Sequence, residues 1–100
     1  MKQTNKWFLF YYESESIRDT IFEKYPDNEF TFADGFDDCI IGVVERFGME
    51  PIICYDKDKV INSLQNEGMS YEEAYEYFDY NIIGAFVGET TPAFMHLYKL

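Results

Sequence analysis

The stretch CIIGVVERFGMEPIICYD, residues 39–56, decides the predicted fold of this chain. Two of its runs, CIIGVVERF and PIICYD, are rich in β-branched residues, which pack well on the pleated surface of a sheet. The short segment between the runs contains a glycine, and such a connection joins neighbouring antiparallel strands. We therefore expect a β-hairpin with Gly48 near its turn.

Helix-capping residues predict one helix on each side of this hairpin. The first covers SESIRDTIFEKYP, where Ser14 or Ser16 caps the start and the proline stops the helix. The second begins after Asp56, whose carboxylate can accept hydrogen bonds from the first helical turn, and it closes at Gly68.

A third helix is predicted over SYEEAYEYFDYNIIG, residues 70–84. Ser70 and Glu73 form a capping box, in which each side chain bonds the backbone N–H of the other residue. One face of the helix is apolar and another face carries an acidic stripe. The apolar face consists of Tyr71, Ala74, Phe78 and Ile82, and the acidic stripe consists of Glu72, Glu76 and Asp79.

Two further strands complete the predicted order of elements. KWFLFYYE, residues 6–13, and PAFMHLYKL, residues 92–100, read as strands, whereas residues 27–37 carry loop signals. The predicted order is β-α-β-β-α-α-β. It describes a single α+β domain over residues 1–100, with three helices and a four-stranded, mostly antiparallel sheet.

The apolar residues of the strands bear on assembly. Side chains alternate between the two faces of a strand, and both KWFLFYYE and CIIGVV are apolar on both faces. Monomers rarely expose a large apolar patch, so the second face of the sheet needs a cover. Either the three helices divide between the two faces, or a homodimer or another partner covers the second face. The homodimer is slightly favoured.

The charge of the chain excludes some partners. Its 100 residues include 8 basic and 19 acidic side chains, and the formal charge of -11 repels the phosphates of nucleic acids and anionic lipids. The same charge can imitate a phosphate backbone and attract a basic groove of another protein, although acidity also serves solubility alone. No run is long and apolar enough to cross a bilayer, and we expect the reducing cytoplasm.

No motif of a known catalytic or cofactor site is present, so we expect neither catalysis nor a cofactor. The acidic cluster Asp34, Asp37 and Asp38 lacks the spacing of a calcium-binding loop. A turn that leads into the following strand is therefore favoured over a metal site. An enzyme that uses this cluster with a divalent cation is a minor alternative.

The two cysteines and the single histidine offer little further chemistry. Cys39 and Cys54 lie in apolar runs, which predicts buried thiols, although facing strands can bring the two together. His96 lies in an apolar strand and is predicted to be structural. A cysteine nucleophile with a histidine base is a minor alternative, because neither cysteine has an activating neighbour in the sequence.

The strongest candidate for function is a surface. Along the third predicted helix tyrosines interleave with the acidic stripe, and tyrosine is enriched at the hot spots of interfaces. Acidic and aromatic residues also occur together in FADGFDD, residues 32–38. We predict a partner-binding surface here, against the alternative of a plain solvated helix face. The predicted contact residues are Glu72, Tyr75, Glu76, Asp79, Tyr80 and Asp37.

Several segments of the chain resemble a widespread group of small bacteriophage-encoded proteins. These proteins share D-G-F-D, a Y-D before a short helix, G-M-S-Y-E-E-A and Y-F-x-x-N-I-x-G-A-x-V-G-x-x-T-P-x-F. The corresponding segments here are DGFD, YDKDKVINSL, GMSYEEA and YFDYNIIGAFVGETTPAF. They occur in order over residues 32–94, so residues 32–100 resemble the core of the group. Residues 1–31 then form an N-terminal strand and helix added to that core.

The resemblance implies a context more than a mechanism. Phage origin implies expression in the bacterial cytoplasm, where small acidic phage proteins without catalysis are often inhibitors of host machinery. The leading hypothesis is an inhibitor of a host protein, such as a CRISPR or other antiphage defence component, that binds through the acidic, tyrosine-rich surface. The alternative is an oligomer that sequesters a small signalling nucleotide between protomers. Its pocket would use Asp34, Arg46, Tyr55 and Asn81.

Overall fold

A computed structural model describes residues 16–99 of the chain. These residues contain three α-helices and a three-stranded sheet, so the predicted α+β class and the three helices are confirmed. In chain order the elements are α1 (Ile17–Lys24), a 3₁₀ turn (Asp37–Cys39), β1 (Ile40–Val44), β2 (Ile52–Asp56), α2 (Lys57–Asn66), α3 (Tyr71–Tyr77), a π-helical turn (Phe78–Ile82) and β3 (Ala93–Met95). Within this part of the chain no helix is both long and apolar enough to cross a membrane.

The predicted hairpin is confirmed. β1 and β2 pair antiparallel, with Val44 opposite Ile52 and Ile40 opposite Tyr55. The connection between them passes through Gly48, whose φ of 73° lies in the left-handed region that glycine adopts without strain. The hairpin places β2 at the centre of the described sheet, between β1 and β3.

The third strand is shorter than predicted, and it pairs in parallel with its neighbour. β3 runs parallel to β2, with Phe94 beside Tyr55, so the described sheet is mixed rather than mostly antiparallel. A parallel pair needs a crossover connection, and α2 and α3 provide it by returning the chain to the end of the sheet where β2 begins. The predicted strand over residues 92–100 ends at Met95, because its partner β2 ends at the opposite residue, Asp56, where α2 begins.

Two predictions about the sheet remain predictions. The predicted first strand, residues 6–13, lies outside the described residues, and with it the fourth strand and the first position in the predicted order. The homodimer that would cover the second face of the sheet is likewise untested. In the described sheet every residue of β2 is buried, whereas Ile41 of β1 is 40% exposed.

Each described helix begins at a cap that the sequence predicts. The Ser16 side chain accepts a hydrogen bond from the first turn of α1, and the buried Asp56 carboxylate accepts two from the first turn of α2. Ser70 and Glu73 form the predicted capping box at the start of α3. Such a cap contributes about 1 kcal/mol to stability, so the three caps set the helix boundaries.

The end of α3 depends on a glycine. The helix continues into the π-helical turn, and Gly84 follows close to the carbonyl oxygens of that turn. A Cβ atom at Gly84 would lie 2.7 Å from the backbone oxygen of Asp79, a distance that real Cβ atoms do not tolerate. Glycine therefore lets the chain leave the helix here and enter the segment formed by residues 85–92.

The core lies between the sheet and the helices. Phe94 of β3 contacts the two largest buried side chains of the core. The Phe94 ring stacks on Tyr55 with 5.4 Å between ring centroids, and it meets Phe78 edge to face with 5.2 Å between centroids. Both Tyr55 and Phe78 are fully buried. Aromatic pairs of this geometry add about 0.5–1.5 kcal/mol beyond the area that they bury.

The predicted apolar face of α3 is largely confirmed. Ala74 and Phe78 are fully buried, and Ile82 is half-buried against the core. Tyr71 is an exception, since 57% of it is exposed. It is the first residue of α3, and its ring packs on Tyr75 of the next turn, 5.5 Å away, rather than on the core.

Replacement of Phe78 by alanine tests this packing. The change removes a fully buried ring, and we expect a loss of about 3–5 kcal/mol in the free energy of unfolding. Phe47→Ala is the matched control, because Phe47 is fully exposed near the hairpin turn and its removal is expected to cost less than about 0.5 kcal/mol. Urea denaturation followed by circular dichroism measures both. Equal midpoints for the two variants would contradict the described core.

Candidate functional site

The acidic cluster forms the turn that the sequence predicts. Asp34 and Gly35 make a turn in which Gly35 has a φ of 91°, and the 3₁₀ turn then carries the chain into β1. Only glycine adopts such a φ routinely, which explains its place between the aspartates.

Arg18 of α1 binds this aspartate turn. Its Nε and Nη2 atoms donate to the two carboxylate oxygens of Asp37 at 2.9 Å each, and Nη2 also donates to Asp34 Oδ1 at 3.2 Å. The guanidinium carbon lies 4.2 Å from the centroid of the Phe32 ring. The hydrogen bonds that Arg18 donates to Asp37, followed by the one it donates to Asp34, raise the pKa of Arg18. Two carboxylates and one aromatic ring thus form a guanidinium site that the chain's own arginine occupies.

This ion pair changes the interpretation of the acidic cluster. A guanidinium already binds both oxygens of Asp37 and one oxygen of Asp34, which a metal ion would otherwise use. Across residues 16–99 no three histidine, cysteine, aspartate or glutamate side chains are grouped as metal ligands. Sequence reasoning missed Arg18, because 16 and 19 residues separate it from its partners and no local pattern spans that distance.

A cavity of about 280 Å³ lies beside the aspartate turn. Residues 31–36 form one wall, and the end of α3 with the segment that leads into β3 forms the rest. A hydrogen bond of 2.6 Å between the Thr31 and Thr90 hydroxyls joins the two sides. Aromatic rings and polar groups both line the cavity. The rings are those of Phe32, Phe36, Tyr77 and Phe94, and the polar residues are Thr31, Asp34, Asn81 and Thr91.

The structure brings together two of the four residues predicted for a nucleotide pocket. Asp34 and Asn81 line the cavity. Tyr55 lies behind it, fully buried, and its hydroxyl accepts a 2.6 Å hydrogen bond from the backbone N–H of Ala33, which also lines the cavity. Arg46 is not a lining residue, and its guanidinium donates to the carbonyl of Glu50 near the hairpin turn.

The lining of the cavity bears on the nucleotide hypothesis. The described lining residues include neither lysine nor arginine, so a phosphate group there has no cationic partner. The hypothesis placed the pocket between protomers, whereas this cavity lies within one chain. A nucleotide ligand therefore remains a prediction without support from the charges of the cavity.

The predicted acidic stripe of α3 borders a shallow groove. Glu72, Glu76 and Asp79 are exposed, and within the part of the chain that the structure describes none of them forms a salt bridge. Tyr80 beside them is 80% exposed. The groove is lined by Met69, Glu73, Glu76, Tyr77, Tyr80 and Asn81. Of the predicted contact residues, Glu76 and Tyr80 line this groove, whereas Glu72 and Asp79 are exposed outside its lining. We call the exposed set Glu72, Glu76, Asp79 and Tyr80 the acidic face.

The groove and the cavity are neighbours, because Tyr77 and Asn81 line both of them. The sequence analysis assigned Glu76 and Tyr80 of the groove to a partner-binding surface and Asn81 to a ligand pocket. The turn of helix between Tyr77 and Asn81 unites the two sets at one place on the surface.

Two of the predicted contact residues are engaged within the chain. Tyr75 is half-buried, and the Nζ atom of Lys57 lies 4.7 Å from the centroid of its ring. The Tyr75 side chain, and then the charges of Asp79 and Asp58, raise the pKa of Lys57. Asp37 belongs to the aspartate turn, where Arg18 holds both of its oxygens, rather than to the acidic face.

Comparison with known proteins adds no relative. No family model matches the chain, and neither the curated proteins nor the solved structures yield a match.

The cysteines have the environment of core residues. Cys39 and Cys54 are buried and unpaired, and burial raises the pKa of both thiols. His96 is half-exposed, and its Nδ1 atom lies 3.2 Å from Asp58 Oδ2. The imidazole is thus engaged with a carboxylate, and the thiols are held in their protonated form.

Thiol labelling tests this environment. At pH 8 we expect Cys39 and Cys54 to react with a disulfide reagent only as fast as the domain unfolds, because burial limits access and a raised pKa keeps thiolate scarce. The urea-denatured chain serves as the control, and its two thiols should react at once with two equivalents of the reagent. Rapid reaction of one cysteine in the native domain would instead identify an activated thiol.

Proposed function

We propose that this protein is a bacteriophage-encoded inhibitor that binds a host protein through its acidic face and acts without catalysis. The target is a protein with a basic groove, most directly a nucleic-acid-binding component of an antiphage defence system such as a CRISPR complex. Binding of the acidic face would occlude the groove that such a component uses for nucleic acid.

One observation carries the proposal. Three exposed carboxylates of α3 and the π-helical turn, those of Glu72, Glu76 and Asp79, lack ion-pair partners among residues 16–99, and the exposed ring of Tyr80 follows them. Unpaired charges of one sign steer a partner of the opposite charge, and tyrosine contributes hot-spot contacts once the partner has docked. The formal charge of -11 on the whole chain adds to the attraction of a basic partner.

The phage origin and the defence target rest on the sequence resemblance. The segments that resemble the phage group include DGFD, GMSYEEA and YFDYNIIGAFVGETTPAF. They cover the aspartate turn, α3 and the segment that leads into β3, which are the parts that build the acidic face and the cavity. In this proposal the segments shared with the phage group form the acidic face and the cavity near it.

The target is identified by affinity capture. The tagged chain is expressed in phage-infected bacteria, and mass spectrometry identifies the proteins and nucleotides that remain bound. We expect a basic nucleic-acid-binding protein as the specific partner. Recovery of a bound nucleotide without any protein would contradict the proposal and support the sequestering oligomer.

Charge reversal of the acidic face tests the surface. For E72K/E76K/D79K we expect the association rate with the captured protein to fall about tenfold or more at low salt, with a smaller difference at high salt. The control E23K/D27K/E29K makes the same change in net charge on exposed residues of α1 and the loop that follows it. Surface plasmon resonance at two salt concentrations measures the rates. Equal effects of the two triple variants on the association rate would show that the acidic face is not the binding surface.

Tyr80→Ala tests the hot spot. The loss of this ring is expected to weaken binding of the captured protein by at least about 1 kcal/mol, mostly through a faster dissociation rate, with no change in thermal stability. Tyr98→Ala is the matched control, because Tyr98 is 81% exposed against 80% for Tyr80 but lies after β3. Similar dissociation rates for both variants would show that Tyr80 makes no special contact.

A further inference from the structure

We propose that the cavity beside the aspartate turn receives an arginine side chain of the partner protein and anchors it there. The inference rests on the proposed function, since it names the group of the basic partner that the acidic face guides into place. Its chemistry can nevertheless be tested on this chain alone.

The chain already shows that these residues bind a guanidinium group. Arg18 lies over the ring of Phe32 and donates to Asp34 Oδ1, and both Phe32 and Asp34 line the cavity. Asp34 Oδ2 has no hydrogen-bond partner among the described residues. The side chain of Asp34 is 95% exposed, so its second oxygen is accessible at the rim of the cavity.

A second polar group is free to complete the recognition. Asn81 lines the cavity, and its side-chain amide makes no hydrogen bond with any other residue in the range 16–99. The hydroxyl of Thr91 already accepts a hydrogen bond from the N–H of Val87 and donates one to the carbonyl of Gly88, so at most one acceptor lone pair is left there. The amide oxygen of Asn81 and the free carboxylate oxygen of Asp34 are both acceptors, and a guanidinium group has donors only.

The walls and charges of the cavity favour a planar cation. A guanidinium group stacks on aromatic faces, and the rings of Phe36, Tyr77 and Phe94 supply such faces. At the rim the two carboxylates of Asp34 and Asp37 outnumber the single charge of Arg18. Among residues 16–99 the lining itself includes no basic side chain, and the net charge of Asp34, Asp37 and Arg18 at the rim is negative.

The position of the cavity favours a side chain of a protein that is bound beside it. Tyr77 and Asn81 line both the cavity of about 280 Å³ and the neighbouring groove. A partner that lies along the acidic face can therefore insert one side chain without leaving the groove.

The proposal is tested by NMR titration of the full chain. Acetyl-arginine-amide and acetyl-lysine-amide are the probes, since they carry the same charge but only the first has a planar, stacking head group. We expect the arginine probe to shift the side-chain NH₂ signals of Asn81 and the backbone signals of Ala33 and Asp34. Its affinity should exceed that of the lysine probe by at least about fivefold.

Two variants separate the cavity from general charge attraction. Asn81→Ala removes one acceptor and should lower the affinity for the arginine probe several-fold, whereas Asn66→Ala, at an exposed position of α2 outside the cavity, should not. Ala85→Phe places a ring in the cavity without changing charge and should abolish the preference for arginine. Melting curves verify that each variant is folded.

The outcomes are decisive in both directions. Equal binding of the two probes, or binding that Ala85→Phe leaves unchanged, would overturn the arginine site. Tighter binding of adenosine monophosphate than of the arginine probe would also overturn it and indicate a nucleotide site. If the arginine site fails while E72K/E76K/D79K still weakens association with the captured protein, the proposed function stands without this anchor.

Discussion

The side chain of Tyr55 connects the parts of this domain that build its functional surface. It lies on the central strand, fully buried, with its ring stacked on Phe94 of β3. Its hydroxyl accepts the backbone N–H of Ala33 at 2.6 Å. Burial raises the pKa of this phenol, although the hydrogen bond from Ala33 opposes the shift, so the group stays neutral in the core. A buried polar group needs such a partner, and the partner is the loop that carries the aspartate turn.

This anchoring explains why the cavity forms where it does. The loop at residues 31–36 is held against the sheet by Tyr55 and against α1 by Arg18. On the other side, the π-helical turn and Gly84 direct the chain out of α3, and the hydroxyls of Thr31 and Thr90 join the two walls. The space between them remains open and aromatic. Rigid elements thus position the groups that we propose as contacts.

Charge pairing separates the structural acids from those available for binding. Asp56 is buried and caps α2, and Asp37 is held by Arg18, so both serve the fold. Glu72, Glu76 and Asp79 have no such partner in the described part of the chain. Exposed ion pairs contribute little to stability, and carboxylates without them are free to meet an external cation. The acidic face therefore contributes little to the stability of the domain, and we propose that it serves association.

Local signals in the sequence predicted the local structure well. The caps at Ser16, Asp56 and Ser70 and the hairpin around Gly48 involve residues within a few positions of each other, where side chain and backbone interact directly. No direction was predicted for β3, because strand pairing depends on where the helical crossover delivers the chain. No pattern within either strand encodes that choice.

In the candidate site, too, the sequence predicted the local features but not the contacts between distant segments. The sequence alone determined which residues carry the charge of α3, which helix presents them and that the aspartates around Gly35 form a turn. Only the tertiary structure decided that Arg18 holds this turn, that Asn81 and Asp34 line one cavity and that Tyr77 joins this cavity to the groove. The physical reason is distance along the chain. Helical periodicity and capping act over a few residues, whereas the cavity unites segments that lie tens of residues apart and meet only after the core has packed.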